Sequence, residues 1–221
     1  MNFLDALSYP IRRNGWMMIL MGAIFSCLLD FLRHIPILSM VAALFSAGYF
    51  GSYYLDIISS TMIHRDEVPE WPSFHNFSDD ILSPFIRLLG LYLISFAPLI
   101  ALYFLADHKA SWFIPSIVAA LFYGCIYFPM SALALLDFGG IGGALPHVVF
   151  PAVIRSLPGY LLPVLVLILG VVVCVEAQEY IARIPFVGWF LTALIALYGL
   201  MFQGRLIGLV YRDYRERIGW D

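Results

Sequence analysis

Five carboxylates in one short stretch are the residues with the clearest capacity for chemistry. Divalent cations prefer oxygen ligands of this kind, but the spacing here is not that of a calcium-binding loop. We therefore interpret residues 64–80 as a solvated acidic loop, and docking of a basic partner remains open as a third interpretation. The carboxylates are those of Asp66, Glu67, Glu70, Asp79 and Asp80.

The same loop carries aromatic residues suited to a membrane surface. Trp71 lies between two prolines, and with Phe74 it is predicted to touch lipid headgroups, where tryptophan is enriched. Ser78 is predicted to cap a helix whose first turn is acidic. Residues predicted to contact a partner or lipid are Glu67, Glu70, Trp71, Arg87 and Arg155.

Three ionisable residues fall near one end of long apolar runs. Asp56, Asp137 and Arg205 are costly to bury in a membrane, so each calls for a functional explanation. An ion-coupled transporter places such groups around a central site, whereas these lie near the predicted surface. We predict an intramembrane polar cluster in which the three residues form ion pairs.

Other catalytic patterns are absent from the sequence. Residues 139–143 are glycine-rich, but no Lys-Ser or Lys-Thr follows as in a phosphate-binding loop. Cys27, Cys125 and Cys174 stand singly in apolar runs, without metal-ligand spacing. No nucleophile is paired with a base. We therefore expect no enzyme activity, no cofactor and no metal.

The composition indicates an integral membrane protein. Of the 221 residues, 62% are hydrophobic and only 12% are charged, and the mean hydropathy is +0.89. These values lie outside the range of soluble globular domains. The net charge of −3 argues against nucleic-acid binding, which calls for a basic surface.

The elements that position these residues are predicted to be six transmembrane helices in an all-α membrane domain. Each apolar run approaches the roughly 20 residues that cross a bilayer. Consecutive spans pair as three hairpins, at about 1–63, 78–138 and 145–212, followed by a short arginine-rich tail at 211–221. The spans are predicted at 15–32, 36–58, 88–106, 112–136, 159–175 and 185–210.

The hairpins resemble one another in sequence. Ile35-Pro36 is followed by Val-Ala-Ala-Leu-Phe at 41–45, and Ile114-Pro115 is followed by the same five residues at 118–122. A fainter copy begins at Ile184-Pro185. Because a repeated unit decides the fold, we predict three internal repeats.

An amphipathic segment precedes each hairpin, with apolar residues at helical spacing suited to the membrane interface. A Pro, Arg, Gly order recurs in all three. Each repeat is therefore predicted to be an interfacial helix plus two spans. The recurring residues are Pro10, Arg12 and Gly15, then Pro84, Arg87 and Gly90, then Pro151, Arg155 and Gly159.

Rows of small residues mark the even spans. Such rows let helix backbones approach closely inside lipid. Packing within the chain is the preferred interpretation for at least two rows, and an interface with another subunit is the alternative. The rows are Ala43, Ala47 and Gly51, then Ala120 and Gly124, then Ala196, Gly204 and Gly208.

The distribution of basic residues predicts the topology. With both termini cytoplasmic, nine basic residues lie on the cytoplasmic side and three, Arg33, Lys109 and Arg183, lie on the other. This bias follows the positive-inside rule. We therefore expect a multi-pass protein with both termini and all three amphipathic segments on the cytoplasmic side.

The loop and its flanks carry a family resemblance. The matching stretches are Gly48–Gly51, Arg65–Trp71 and Phe77–Leu82, together with Tyr9-Pro10. They resemble the DUF4013 family of bacterial and archaeal membrane proteins of unknown function, similar in layout to Yip-like proteins and the membrane domain of some glycerophosphodiester phosphodiesterases. The resemblance implies a polytopic protein of a prokaryotic cell membrane and supplies no catalytic residues.

Taken together, the patterns favour a membrane scaffold or accessory protein that acts through lipids or protein partners. The amphipathic segments and the acidic loop would form its working face. The expected partners are membrane lipids and either a second copy of the chain or another membrane protein. The alternative is a permease or channel for a small or hydrophobic solute, with a cavity enclosed by the three hairpins.

Overall fold

A computed structural model describes residues 3–12, 14–32, 35–72, 76–185 and 187–220. The chain is 84% helical, which confirms the all-α class. Arg13, Arg33 and Phe74, which entered the predictions above, lie outside the described residues. The helices are α1 (Phe3–Ser8), α2 (Gly15–Leu32), α3 (Pro36–Met62), α4 (Ser83–Ser95), α5 (Ala97–Leu105), α6 (Phe113–Asp137), α7 (Pro146–Ile181) and α8 (Gly188–Ile218), with 3₁₀ turns at Tyr9–Ile11 and Ile141–Ala144 and a π-helical turn at Ser78–Leu82.

Five helices within the described ranges are long and apolar enough to cross a membrane, and a sixth span is added if a bent pair counts as one. The pair is Ser78–Ser95 with Ala97–Leu105, bent by 63°. Pro98 lies at the start of α5, and it has no N–H to continue the preceding helix. A second proline, Pro129, lies inside α6 without interrupting it.

Three helices continue several residues past the predicted spans, and the first of them, α3, ends at Met62 rather than at residue 58. The third amphipathic segment and the fifth span form one helix, α7, rather than an interfacial helix followed by a separate span. Pro151 falls within α7 and does not end it. The last helix continues to Ile218, so it includes most of the arginine-rich tail.

The chain forms two compact units. The first comprises Met1–Ile86 and Leu165–Asp213. In this unit the aromatic residues of α3 pack toward α2 and α8: Tyr53 and Ile57 are buried with Met201, while Ala23 and Cys27 are buried with Leu197. The Tyr198 hydroxyl donates to the Leu7 carbonyl at 2.8 Å, which ties the N-terminal segment to α8.

The second unit comprises Arg87–Val164 and Tyr214–Asp221. Its centre is the second half of α6, where Met130, Ala132 and Leu133 are fully buried. Tyrosine hydroxyls connect its elements: Tyr127 donates to the Ala144 carbonyl at 2.7 Å, and Tyr160 donates to the Ile126 carbonyl at 2.6 Å.

Candidate functional site

The first unit contains a buried cation, Arg205, whose side chain is 1% exposed. Its Nε donates to Asp5 Oδ2 at 3.0 Å, and Nη2 donates to Asp5 Oδ2 at 2.8 Å and to Asp66 Oδ1 at 2.6 Å. Nη1 donates to Thr61 Oγ1 at 3.4 Å and to the Arg65 carbonyl at 3.3 Å. All five N–H groups of the guanidinium are therefore used, as a buried charge requires.

Two further arginines extend this arrangement. Arg12 pairs with Asp5, and Arg212 Nη1 lies 3.0 Å from Asp66 Oδ1. Three guanidinium groups thus alternate with two carboxylates, and we name Asp5, Arg12, Asp66, Arg205 and Arg212 the arginine–aspartate cluster. It joins the N-terminal segment, the acidic loop and the last helix within the first unit.

Tyr9 forms a second contact beneath the cluster. The Arg205 Cζ atom lies 4.9 Å from the centre of the Tyr9 ring, a cation–π distance. The Tyr9 hydroxyl donates to the Glu67 carbonyl at 3.4 Å. Burial of the side chain raises the pKa of Tyr9 to about 12, so the hydroxyl stays protonated and available as a donor at neutral pH.

The cluster lowers the pKa of both aspartates. At Asp5, burial acts to raise the pKa, but hydrogen bonds from Arg205 and Arg12 outweigh it and the pKa falls below its ordinary value. At Asp66, the hydrogen bond from Arg205 is the largest cause, and it lowers the pKa despite opposing burial. Both carboxylates are therefore ionised at neutral pH.

The end of α3 explains how the loop reaches Arg205. His64 adopts a left-handed conformation with φ 63°, and the Arg65 N–H donates to the Ser60 carbonyl at 2.9 Å. These two features together form a helix C-terminal turn of the Schellman type. The turn reverses the chain, so that the Arg65 carbonyl and the Asp66 carboxylate both face the guanidinium of Arg205.

Glycines on α8 bring this helix close to α3, so that Thr61 on α3 can accept a hydrogen bond from Arg205. Gly204 and Gly208 are buried, and a Cβ on Gly204 would lie 3.0 Å from Ile57 Cγ2, while a Cβ on Gly208 would overlap Thr61. Thr61 Oγ1 donates to the Ile57 carbonyl at 2.8 Å, which leaves its oxygen to accept from Arg205. These two positions of the predicted small-residue row therefore serve packing within the chain.

The remaining small-residue positions divide into two groups. Ala120 and Gly124 are buried, and the Phe96 ring occupies the space that a Cβ on Gly124 would need. Gly51 is also buried, but the row on α3 otherwise points outward. Ala43, Ala47 and Ala196 are exposed.

Trp71 differs from its predicted position at the headgroups. Its ring stacks on Tyr53 at a centroid distance of 4.1 Å and on Tyr49 at 5.4 Å, and it meets Phe50 edge-on. A Cβ on Gly22 would lie 2.5 Å from Trp71 Cζ2, so the absence of a side chain there opens the space for the indole. The loop thus inserts its tryptophan among α2, α3 and α8.

Two buried polar atoms of this aromatic group have no hydrogen-bond partner within the described part of the chain. They are the Tyr53 hydroxyl and Trp71 Nε1. Burying an unpaired donor costs about 1–3 kcal/mol. The stacking and apolar contacts of Trp71 must therefore offset this cost.

Two cavities border the described part of the loop, and Glu67 and Val68 line both of them. The larger, about 620 Å³, is lined by Arg12, Asn14, Met18, Asp66, Glu67, Val68 and Glu70. The smaller, about 410 Å³, is lined by Ser60, Arg65, Glu67, Val68 and Pro69. The segment between Asp66 and Trp71 is thus anchored at both ends and borders open space.

The other predicted site residues occupy separate positions. Asp56 is exposed on α3 and is not among the acceptors of Arg205 described above. Asp137 ends α6 in the second unit. Glu67 and Glu70 are exposed on the loop, and Arg87 is exposed on α4. Arg155 Nη1 donates to the Ile218 carbonyl at 3.5 Å, at the end of α8.

Metal-ligand geometry is not seen at the acidic loop. Across the described ranges, no three histidine, cysteine, aspartate or glutamate side chains come together in a group that could hold a metal ion. Asp79 and Asp80 instead bond locally: Asn76 Nδ2 donates to Asp79 Oδ2 at 2.7 Å, and the Asn76 N–H donates to Asp80 Oδ2 at 3.0 Å.

The sequence predictions missed Asp5, Tyr9 and Thr61 as members of the site. The structure explains the omission of Asp5, because Ala6 and Tyr9 are fully buried while Leu4 and Ile11 are exposed. The buried face of the N-terminal segment is thus its mixed polar and aromatic face, opposite the apolar stripe. Asp5 belongs to this segment, and its carboxylate pairs with the buried guanidinium of Arg205.

Comparison of the chain with protein-family models, with curated proteins and with solved structures finds no match. The class is therefore defined by fold and composition. An all-helical chain with five or six membrane-length helices is a multi-pass membrane protein.

Proposed function

We propose that this protein is a membrane scaffold or accessory subunit whose working surface is the acidic loop, fixed in place by the arginine–aspartate cluster. One observation carries the proposal: the loop is held in one conformation by a buried arginine, Arg205, and by a partly buried tryptophan, Trp71. Such pre-organisation favours binding, because less conformational freedom is lost on association.

The packing of the first unit supports interaction rather than passage of a solute. The small residues that could have lined a channel there are in contact with side chains, with Gly22 against Trp71 and Gly208 against Thr61. The interior between α2, α3 and α8 holds Trp71 itself. A permeation path through this unit would require the loop to leave.

The exposed carboxylates provide the chemistry of the surface. Glu67 and Glu70 are exposed on a segment whose two neighbours, Asp66 and Trp71, are anchored. A partner with basic side chains would meet these carboxylates at fixed positions. The cytoplasmic orientation and the resemblance to DUF4013 proteins belong to this proposal. The meeting of the N-terminal segment, the loop and the last helix at one cluster supports placing all three on one side of the membrane.

The test is native mass spectrometry of the protein extracted gently from its own membrane. The chain with Glu67→Lys and Glu70→Lys is compared with a matched variant, Glu176→Lys and Glu179→Lys, which makes the same change of charge at exposed positions on α7. We expect a protein partner to co-purify with the unaltered chain and with the α7 variant, and to be lost from the loop variant. A partner retained equally by both variants would overturn the proposal.

A second candidate is a permease, and one observation in the second unit favours it. The span formed by α4 and α5 is broken at Phe96, and discontinuous helices are typical of transporter binding sites. The hydroxyls of Ser95 and Ser131 lie 3.2 Å apart beside the break and are buried. Solute uptake by proteoliposomes that is reduced by Ser95→Ala and Ser131→Ala would support this candidate over the scaffold.

A further inference from the structure

The two anchors of the acidic loop differ in how completely their polar groups are paired. At the first anchor, Asp66, every N–H group of the Arg205 guanidinium has an acceptor. At the second anchor, Trp71, two buried donors have no partner within the described residues, namely Trp71 Nε1 and the Tyr53 hydroxyl. An unpaired donor gains a hydrogen bond by moving to water, so hydrogen bonding favours release of the second anchor and not of the first.

The backbone between the anchors adds little to hold the segment. In the described part of the chain, no backbone carbonyl accepts from the N–H groups of Val68, Glu70 and Trp71, and the residue after Val68 is a proline, which has no N–H. The Tyr9 hydroxyl does donate to the Glu67 carbonyl, but this bond lies next to the first anchor. A segment with so few backbone hydrogen bonds can open locally while the helices stay folded.

The surroundings of the segment leave room for movement. The cavities of about 620 Å³ and 410 Å³ border it, and Glu67 and Val68 line both. Part of the Trp71 side chain is exposed, so the indole lies at the edge of the helix packing and is not enclosed by it. The arrangement therefore allows the indole to withdraw by movement of the loop alone.

Aromatic contacts favour the inserted position. The indole stacks on Tyr53 at a centroid distance of 4.1 Å and on Tyr49 at 5.4 Å, and it fills the space beside Gly22. The stabilisation by aromatic pairs and the cost of unpaired buried donors are of comparable size. A change at a single hydroxyl is therefore enough to shift the balance measurably.

We propose that Trp71 is a releasable latch on the acidic loop. In the inserted state the indole closes the cleft between α2, α3 and α8, and the loop carboxylates keep fixed positions. In the released state the arginine–aspartate cluster stays intact, the indole leaves the cleft, and both unpaired donors bond to water. A partner that binds the loop in its inserted state holds the latch closed by linkage. The inference rests on the proposed function only for the role of the loop as a binding surface.

Hydrogen exchange at the Trp71 indole N–H measures the latch directly, because a buried N–H exchanges when it opens to water. The purified full-length chain is labelled with ¹⁵N-tryptophan in detergent, and the Trp71 signal is assigned by its loss in Trp71→Phe. We expect this N–H to be protected, but less than the slowest backbone amides of α3 and α8. Protection equal to that of those amides would mean that Trp71 leaves only on unfolding, and absence of protection would mean that it is not inserted. Either result would overturn the proposal.

A single hydroxyl tests the physical cause. Tyr53→Phe removes the unpaired hydroxyl, so it should favour insertion and slow exchange at Trp71 by at least about fivefold, the lower end of the cost of an unpaired buried donor. Gly22→Ala should accelerate exchange, because its Cβ would lie 2.5 Å from Trp71 Cζ2. Unchanged or faster exchange in Tyr53→Phe would show that the hydroxyl does not favour release, and the proposal would be wrong.

The matched control is Tyr160→Phe. It makes the same change in the second unit, at a hydroxyl that has an acceptor, the Ile126 carbonyl. The Trp71 exchange rate should be unchanged in this variant, whereas acceleration would show that exchange follows global unfolding and would contradict a local latch. Since no partner is present, a failure of the latch leaves the partner test above unaffected, and a failure of the partner test leaves the exchange result intact.

Discussion

Arg205 carries its charge at a position that water does not reach, and every N–H group it has is committed. Asp5 and Asp66 supply the compensating charge, while the Arg65 carbonyl and Thr61 supply neutral acceptors. A buried ion pair is weak evidence for net stability, but removing one partner leaves the other unpaired. The residue therefore acts as a fixed point on which the loop conformation depends.

Replacement of Arg205 should be strongly destabilising. Arg205→Gln is expected to lower the free energy of unfolding by about 3 kcal/mol, the lower end of the range for breaking a buried pair, because Asp66 is itself well exposed. The free energy of unfolding of Arg205→Lys should lie between those of the unaltered protein and Arg205→Gln. The ammonium keeps the charge but cannot donate to all the acceptors arranged around the planar guanidinium. Unfolding in detergent measures the effect. The control Arg183→Gln, at an exposed position, should change stability by less than about 0.5 kcal/mol.

A double-mutant cycle should identify the partner of Arg205. Asp5→Asn and Arg205→Gln are expected to be non-additive, with a coupling energy of about 0.5–3 kcal/mol, because the side chains are in direct contact. The pairing of Asp56 with Arg205 that was predicted from the sequence would give a similar coupling energy between Asp56→Asn and Arg205→Gln. The observed acceptors of Arg205 instead predict a coupling energy near zero for that pair. Coupling at Asp56 with additivity at Asp5 would contradict the cluster.

Acid should weaken the cluster before it affects the rest of the fold. Both aspartates have a pKa lowered by folding, so their contribution to stability is fully present above the unfolded pKa of about 3.9. It is lost as the pH falls through the folded values. The unfolding midpoint should therefore begin to drop as the pH falls through about 4 and continue to drop at lower pH, and Asp5→Asn with Asp66→Asn should flatten that dependence. An unchanged slope in this variant would show that other groups cause the loss.

At the level of elements, the main finding is that the loop after α3 is part of the helical packing. The left-handed turn at His64 directs it back over the bundle, and Trp71 fills the space left by Gly22. The positions of the membrane-length helices, though not all of their ends, followed from the apolar runs. Five of the predicted spans correspond to single helices, and the third, 88–106, corresponds to the bent pair. The loop conformation could not be predicted, because it depends on contacts between residues far apart in sequence.

Gly22→Ala should displace the tryptophan. The added Cβ meets the Trp71 ring, and such overpacking costs about 1–3 kcal/mol. In a variant whose other four tryptophans are replaced by Phe, the Trp71 emission should shift to the red and iodide quenching should increase. Gly140→Ala is the matched control, since nothing lies within 4 Å of its Cβ. Unaltered emission in Gly22→Ala would mean that the indole is not inserted at α2.

At the scale of the whole molecule, composition alone was enough to predict a helical membrane protein. The site was predicted in part, because Arg205 and the acidic loop are visible as charges in an apolar chain. The partners of Arg205 were not predicted, because the sequence does not specify which of the 15 acidic residues a basic residue contacts. Asp56 was the predicted partner because it lies inside an apolar run, yet Asp5 and Asp66 accept the hydrogen bonds of Arg205.

The topology makes a prediction of its own. If the arginine–aspartate cluster joins the two ends of the first unit's chain on the cytoplasmic side, both termini face the cytoplasm. A reporter that is active only in the cytoplasm should then be active when it is fused to either terminus. A C-terminal reporter active outside the cytoplasm would contradict both the cluster's placement and the positive-inside assignment.

The long separation between the members of the cluster also bears on biosynthesis. Asp5 and Arg205 are 200 positions apart, and Thr61 and Arg205 are 144 apart. The ribosome therefore delivers the N-terminal segment and the loop well before their arginine, and neither can settle until α8 has been inserted. This surface is therefore complete only after the last helix has been synthesised, and a chain that stopped short of Arg205 would leave the acidic loop without its buried anchor.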